Sequence, residues 1–385
     1  MRRRILYVIG SLNVGGAERH LTNVAVRLKR RGWEPEIFAL SPHGPLADSL
    51  SEAGVPVYGV TLPKWLVSVV RNDRLRARIG LLITVAVMVV TIWRRRPHVI
   101  HLFLPAAYIV GGLASLLTLV PARIMSRRSL NAYQSKHLLF ARIERHLHPR
   151  MDLICGNSRA VVDNLRHEGV EAAKLRLIYN GIDVGPFEQP FDRRQARTEM
   201  DIPPDATVFV IVANLIPYKG HADLIAAFAK IKGQLEGSWV LLCVGRDDGI
   251  GGQLQLQIDS AGLRANIRLT GARSDVPDLL RAADIGILCS HEEGFSNAIL
   301  EGMAAGLPMV VTDVGGNAEA VVDGLTGLVV PPRDAGALGA AILRMQRDPQ
   351  RVVMGRAGQK RVGELFSMDA CLNGYESLYR EVGAV

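Results

Sequence analysis

Apolar residues in this chain fall into short uninterrupted runs, separated by longer stretches in which they recur every third or fourth position. The short runs read as buried strands and the longer stretches as helices with one apolar side. Residues 4–9 open the chain as a strand. A helix over 19–31 follows, with Leu21, Val24, Ala25 and Leu28 on one side. Further strands are expected at 36–40, 56–60, 99–104, 122–126, 153–156 and 175–179, with a helix over 106–119. Ser158 stands where a helix N-cap belongs. A second series starts at Thr207, with strands at 207–213, 239–244, 267–270, 285–289, 309–312 and 327–330. Helices over 335–346, 351–365 and 368–382 close the chain. Strands alternating with helices predict parallel sheets joined by crossover helices. The expected fold class is therefore α/β, with two Rossmann-like doubly wound domains facing a cleft. Residues 1–183 form the first domain, 207–365 the second, and the proline-marked 184–206 a linker. Residues 366–385 are expected to pack back on the first domain.

One stretch breaks the pattern. Residues 79–92 are uncharged and nearly all apolar, with Arg71, Arg74, Arg76 and Arg78 before them and Trp93-Arg94-Arg95-Arg96 after. As a helix these fourteen residues span about 21 Å. That is short of a bilayer core, which is roughly 30 Å thick. The plainer reading is a buried helix before the next strand. The sharper one is a monotopic patch, with Trp65 and Trp93 in the interface and arginines on lipid headgroups.

Charge sharpens that choice. Residues 1–180 hold 27 Lys and Arg against 11 Asp and Glu, a net of +16, whereas 181–385 hold 19 against 26, a net of −7. A basic first half points to an anionic partner: a membrane surface, a lipid diphosphate or nucleic acid. Nucleic acid is excluded from the reading, because aromatics are 5% of the chain and no basic stretch is interleaved with stacking rings. Arg127-Arg128 and the basic run 136–150 read as a solvated face or as an anionic acceptor site. The four cysteines are far apart, without metal-ligand spacing, and read as buried thiols in a reducing compartment. No signal peptide is read, since the apolar run after Met1-Arg2-Arg3-Arg4 ends at Gly10-Ser11. A cytoplasmic location is expected, peripheral at the inner face of the cell membrane.

Candidate chemistry gathers in loops after strands. Gly15 and Gly16 let backbone approach a ligand between the first strand and its helix, but do not form Gly-x-Gly-x-x-Gly. His101 stands near a strand end. In the second half, Asn214 begins a loop that carries Lys219 to a helix start, where an ammonium can meet phosphate. Gly245-Arg246 ends another strand, and Gly315-Gly316-Asn317 follows a third. After 285–289 comes Ser290-His291-Glu292-Glu293-Gly294-Phe295-Ser296, then a helix from about Asn297. That helix start is positively polarised, with Glu293 before it and Glu301 about one turn inside. A diphosphate between two sugars fits such a site.

With these residues in order, the chain resembles the retaining glycosyltransferases of family four, which have the GT-B fold of two Rossmann-like domains. The resemblance rests on Gly15-Gly16-Ala17-Glu18, Asn157-Ser158, Asn180-Gly181-Ile182-Asp183, Lys219-Gly220, Glu293-x7-Glu301, the loop at Gly315 and Gly324-x-x-Gly327. It covers essentially the whole chain, and Glu-x7-Glu followed by Gly302-Met303-Ala304-Ala305-Gly306 is its most specific part. It implies that Glu301 holds the nucleotide ribose and Glu293 the donor sugar. Lys219 and the amides of Gly294, Phe295 and Ser296 would neutralise the diphosphate, so that neither metal nor cofactor is needed. Gly15 and Gly16 would cover the donor, and the acceptor, a glycan or lipid-linked molecule, would bind the first domain. Departure and attack on one face of the sugar are expected in preference to a covalent Glu293 intermediate.

Two departures stand out. Many relatives carry an arginine where this chain has Asn214, so Arg246 or Arg273 would have to supply a second cation. Many also carry a histidine shortly after the position of His101, where this chain has Phe103 and Ala106; His101 would fill that role in part. A binding module of the same fold with little transfer activity is the alternative these departures raise. A nicotinamide dehydrogenase is disfavoured by the missing glycine fingerprint.

Overall fold

The computed structural model describes residues 4–61, 72–130, 134 and 137–383, without the side chain of Arg74. The expected contributions of Met1 to Arg3, Trp65, Arg71 and Lys136 lie outside the described residues. The chain divides into two compact units, residues 1–180 with 371–385, and residues 181–370.

The first unit is built on a seven-stranded parallel sheet in the order β3-β2-β1-β4-β5-β6-β7. Its strands are β1 (Arg4–Ser11), β2 (Glu34–Ser41), β3 (Val57–Gly59), β4 (Val99–Phe103), β5 (Ala122–Arg127), β6 (Leu153–Gly156) and β7 (Leu175–Leu177). Ile5 to Ile9 of β1 are all buried, as a central strand covered on both faces requires. This is why the central strands read as unbroken apolar runs. The helices are α1 (Gly16–Arg30), α2 (Pro45–Glu52), α3 (Asp73–Arg95), α4 (Pro105–Leu116), α5 (Leu138–Leu147) and α6 (Arg159–His167). Helix α4 packs against both α3 and α5, while α1 packs on α2. Right-handed crossovers place these two groups on opposite faces of the sheet.

Two expectations are corrected here. Helix α3 is longer than its apolar centre and runs for 23 residues. The arginines on both sides are good helix formers and continue it. At about 1.5 Å per residue it is roughly 34 Å long. Arg127 is not solvated. It is buried, 2.7 Å from Glu144 and paired with Glu168, and Glu168 also meets His148 at 3.2 Å. A guanidinium taken out of water needs such partners.

The second unit has a six-stranded parallel sheet, β10-β9-β8-β11-β12-β13. Its strands are β8 (Thr207–Val212), β9 (Trp239–Val244), β10 (Ile267–Gly271), β11 (Ile285–Leu288), β12 (Met309–Thr312) and β13 (Gly327–Val330). The expected linker 184–206 is not a free segment. It carries α7 (Gly185–Glu188) and α8 (Arg193–Glu199), and both belong to this unit. Asp192 caps α8, and buried Arg197 ties it to the carbonyls of Pro204, Ala206 and Ala282 and to Asp284 at 2.7 Å. Helices α9 (His221–Ile231), α10 (Gly251–Ser260), α11 (Val276–Ala282), α12 (Asn297–Ala304), α13 (Asn317–Ala320), α14 (Ala335–Arg347) and α15 (Arg351–Leu365) follow. The last helix, α16 (Met368–Glu381), begins in the second unit, but residues 371–385 group with the first.

Each sheet reverses its strand order once, between β1 and β4 and between β8 and β11. The crevice beyond the carboxyl ends at such a reversal is where doubly wound sheets hold ligands.

Candidate functional site

In the second unit the loops after β8 and β11 meet at the reversal. After β8 the chain turns through Pro217–Lys219, and Gly220 enters α9 at φ 76°. A side chain there would lie 2.1 Å from the Cys289 carbonyl oxygen. Only glycine allows the approach. Lys219 Nζ then lies 2.5 Å from Glu293 Oε1, and Ser290 Oγ donates to the same oxygen at 2.7 Å. The acidic loop is pinned from several sides. The His291 amide donates to the Tyr218 carbonyl at 2.7 Å, and its ring meets Asp223 at 2.7 Å. Thr312, at the end of β12, donates to the Ser290 carbonyl, and in the loop that follows the Gly316 amide donates to Gly294 at 2.9 Å. Gly315, at φ 53°, lies so close to Glu293 that a Cβ would sit 1.9 Å from its carbonyl oxygen.

Helix α12 begins directly after this loop. Ser296 makes no side-chain cap. The polarised helix start is left to the backbone. Phe295 is buried and packs on Phe366 with ring centroids 5.2 Å apart, which fixes the loop's backbone from below. Glu301 sits one turn inside α12 and is half-buried. The structure thus brings Lys219, Glu293, Gly294, Phe295 and Ser296 together, with Glu301 one helical turn further on.

Asn214 and Arg246 are linked to each other instead. The Arg246 amide donates to Asn214 Oδ1 at 3.3 Å, Asn214 Nδ2 reaches Asp248 at 3.0 Å, and the Arg246 guanidinium lies 2.6 Å from Asp248. Hydrogen bonding between the two side chains pushes Arg246 up and Asp248 down from their ordinary values. Arg273 is tied in the same way to Asp275. Both pairs are largely solvent-exposed and weak, so either arginine can be drawn away by a polyanion. His221, at the start of α9, is held near pKa 4, mainly by burial and then by Lys219. It adds no charge beside the ammonium at neutral pH.

In the first unit Gly15 and Gly16 open α1 after β1, again without a side-chain cap. His101 does not stand at the carboxyl edge. It is a mid-strand residue of β4, paired with Tyr7 of β1 and Ile124 of β5. It is wholly buried, with Nδ1 2.9 Å from the Tyr379 hydroxyl and Nε2 2.8 Å from Ser126 Oγ. Burial, and then Arg128, pull its pKa down to about 3. Nδ1 joins α16 to the sheet, Nε2 is spent on Ser126 of the neighbouring strand β5, and Tyr7 adds a 2.8 Å contact to Tyr379. This geometry is that of a joint, and the partial catalytic role expected of His101 is corrected accordingly.

The edge itself is occupied by Arg128, for which the sequence leaves two readings, and by Asn157, for which it gives no role. Arg128 follows β5, half-buried, and donates to Asn180 Oδ1 at 2.6 Å. Asn157, after β6, donates to the same oxygen at 3.2 Å, and its own buried Oδ1 has no partner among the described residues. His20 meets Tyr375 at 3.3 Å and is kept neutral, first by burial and then by Arg128. Among the described residues no carboxylate lies within ion-pair distance of Arg128. Leu104, just past β4, holds φ 72° and ψ 157°. Residues other than glycine rarely enter that region. The available signal for Arg128 is its place, the last of two arginines closing an apolar strand.

Comparison with known proteins follows the same division. Residues 14–185 match the family model "Glycosyltransferase Family 4", and residues 192–361 match "Glycosyl transferases group 1". The D-inositol 3-phosphate glycosyltransferase of Segniliparus rotundus is 30% identical over 236 residues, which are 60% of this chain and 52% of that protein. The corresponding enzyme of Mycobacterium tuberculosis is 31% identical over 229 residues, 56% of this chain and 46% of that one. The match thus spans about half the length of these curated relatives. Among solved structures, Anabaena Alr3699/HepE in complex with UDP-glucose superposes with a TM-score of 0.83 at 24% identity, covering 98% of this chain and 99% of that one. A glycosyltransferase from Rickettsia africae gives 0.81 at 21% identity, covering 98% of each chain. At these identities the likeness is one of fold.

Proposed function

We propose that this chain, which on those two matches belongs to the glycosyltransferases of the family-four type, moves a sugar from a nucleotide diphosphate onto a glycan or lipid-linked acceptor of the cell envelope. The observation that carries the reading is the crevice at the β8–β11 reversal. There Lys219, the start of α12 and two carboxylates stand together. UDP is the nucleotide we assign, supported by the UDP-glucose complex of the Anabaena neighbour.

Lys219 is neutralised by Glu293. An incoming diphosphate would take over the ammonium and face the amides of Gly294, Phe295 and Ser296. That exchange would release Glu293 to accept hydroxyls of the donor sugar, while Glu301 takes the ribose hydroxyls. The bond from the anomeric carbon to the β-phosphate oxygen then breaks, its electrons staying on phosphate. The acceptor hydroxyl attacks from the same side, and its proton passes to the departing phosphate, so configuration is retained. A carboxylate that accepts from Ser290 and from the hydroxyls of the donor sugar is a poor nucleophile, which favours this route over a covalent Glu293 intermediate. Lys219 and helix amides would do the work of a divalent ion, with Arg246 able to leave Asp248 as the second cation.

On the acceptor side, Arg128 is the cation available at the carboxyl edge of the first sheet, and it suits an acceptor that carries phosphate. A relative named for inositol 3-phosphate supports that class. The test is a saturation-transfer screen of nucleotide sugars, followed by NMR of the product formed from the best binder with phosphorylated and neutral acceptors in the presence of EDTA. A product with the donor's anomeric configuration is expected. Donor binding without product over a broad acceptor panel would favour a binding module instead.

A further inference from the structure

Thirteen of the twenty-one exposed large apolar side chains among the described residues lie on one helical layer of the first unit, formed by α3, α4 and α5. Helix α4 lies between the other two and packs on both. On α3 the exposed stripe is Leu75, Leu82, Ala86, Val90 and Trp93, spaced to fall on one side of a helix. Leu82 is 70% exposed and Trp93 68%. The adjoining side of α3 places Met88 and Ile92 in the core of the unit, with Val85 and Val89 partly buried against it. Leu113, Leu116, Leu117 and Leu119 continue the apolar surface from the end of α4, and Leu138, Leu139 and Phe140 from α5. Isolated exposed apolar residues are ordinary, but a contiguous group over three neighbouring helices marks an interaction surface.

Charge says what covers it. From residue 74 to residue 143 the sequence has no Asp or Glu at all. The acids at the ends of this layer are Asp73, paired with Arg76, buried Glu36 of β2, paired with Arg95, and buried Glu144, paired with Arg127. Arg78, Arg94 and Arg96 stand exposed near the two ends of α3, and Arg142 and Arg145 on α5. A groove of about 450 Å³ beside α3 is lined by Tyr58, Val87, Val90, Arg94 and Arg95. We infer that this layer docks on an anionic lipid bilayer, with α3 lying in the plane of the interface. Apolar side chains would enter the acyl boundary, arginines would meet phosphate headgroups, and the groove would take an acyl chain.

Two other arrangements fit less well. The stretch Leu75–Arg95 is long and apolar enough to cross a membrane. A crossing helix needs lipid or helices all around it, however, and one side of α3 is built into the core with Met88 and Ile92. A second copy of the chain would bring one arginine-rich surface, with Asp73 its exposed acid among the described residues, against another, which is repulsive.

The inference does not depend on the transferase reading, and its test needs no activity. The full chain is co-sedimented with phosphatidylcholine vesicles with and without phosphatidylglycerol, at two salt concentrations, beside Leu82→Asn/Trp93→Asn and Arg94→Gln/Arg96→Gln variants. Binding is expected only with the anionic lipid and weaker in high salt. Loss of about fivefold per arginine is expected. At least a tenfold loss is expected for the apolar pair, since its buried area carries insertion. Circular dichroism and UDP calorimetry should match the parent, so a folding defect is told apart. Equal binding to neutral vesicles, or unchanged binding by both variants, would overturn the inference. So would absence of vesicle binding together with a dimer in sedimentation velocity that the apolar pair abolishes.

Discussion

The ammonium of Lys219 and the carboxylate of Glu293 hold each other at 2.5 Å, and this pair gives the clearest predictions for single residues. Glu293→Gln should leave Lys219 with less competition, so UDP affinity in calorimetry should stay the same or tighten. Its transfer rate should nevertheless fall by about a hundredfold, because an aligned hydrogen-bond partner of the sugar is lost. A variant that loses UDP affinity and keeps its rate would reverse the two roles. Glu301→Ala should weaken UDP by roughly ten- to a hundredfold, the worth of charged hydrogen bonds to hydroxyls. Gly220→Ala would force a left-handed backbone on a residue whose Cβ sits 2.1 Å from the Cys289 carbonyl. Thermal denaturation should show a loss of about 1–3 kcal/mol from strain alone. An unchanged midpoint would contradict the close approach of the two loops. These residues are legible in the sequence, since glycines and lone charges after apolar runs mark the carboxyl ends of strands. Arg246 is legible as a cation, but its engagement with Asp248 is not, because neither residue's pattern fixes where a flexible side chain turns.

At the scale of elements, helix α16 is fixed to the first sheet by a buried polar cluster. His101 bonds Tyr379, His20 bonds Tyr375, and Trp33 Nε1 donates to Glu376 at 3.0 Å. His20 and His101 are held neutral below their ordinary pKa. The unfolded chain therefore binds more protons than the folded one once pH drops below about 6.5. Stability is expected to fall as pH is lowered from 7 towards 3, at up to about 1.4 kcal/mol per pH unit for each histidine. Glu168, held near pKa 2 against burial by hydrogen bonds from His148 and Arg127, adds to the same trend. Its contribution is complete above its unfolded value and fades from about pH 5 down to its folded one. Denaturation midpoints between pH 7 and 5 check this, and His101→Asn should flatten the slope. A parent midpoint that rises on acidification would contradict the cluster. None of this is readable at His101 itself. The residue reads as a strand-end histidine, and the hydroxyl that buries it arrives from Tyr379 at the far end of the chain. The linker departs from expectation for a related reason. Pro186 opens the short helix α7, and Pro203 and Pro204 separate α8 from β8. Prolines at helix boundaries and prolines in an unstructured link look alike in a sequence.

For the whole molecule, the alternation of apolar runs and amphipathic stretches decides the fold class, because parallel strands covered on both faces carry no polar alternation to confuse the reading. The charge imbalance between the halves is equally plain. Its physical meaning needs the structure, which separates buried arginines such as Arg127 from the exposed ones on the α3–α4–α5 layer. Helix α3 shows the limit of length arguments. Its apolar centre is too short to span a bilayer, yet the full helix reaches about 34 Å at its usual rise per residue. Packing of one side into the core, through Met88 and Ile92, decides its orientation.

The central claim is that the β8–β11 crevice holds a nucleotide-diphosphate sugar through Lys219 and Glu301. Calorimetric titration of UDP and UDP-sugars into the parent, Lys219→Ala and Glu301→Ala tests it most directly. Saturable binding by the parent, weakened about tenfold or more in each variant, is the predicted result. Binding of no nucleotide diphosphate by a folded parent, or affinity indifferent to both substitutions, would contradict it.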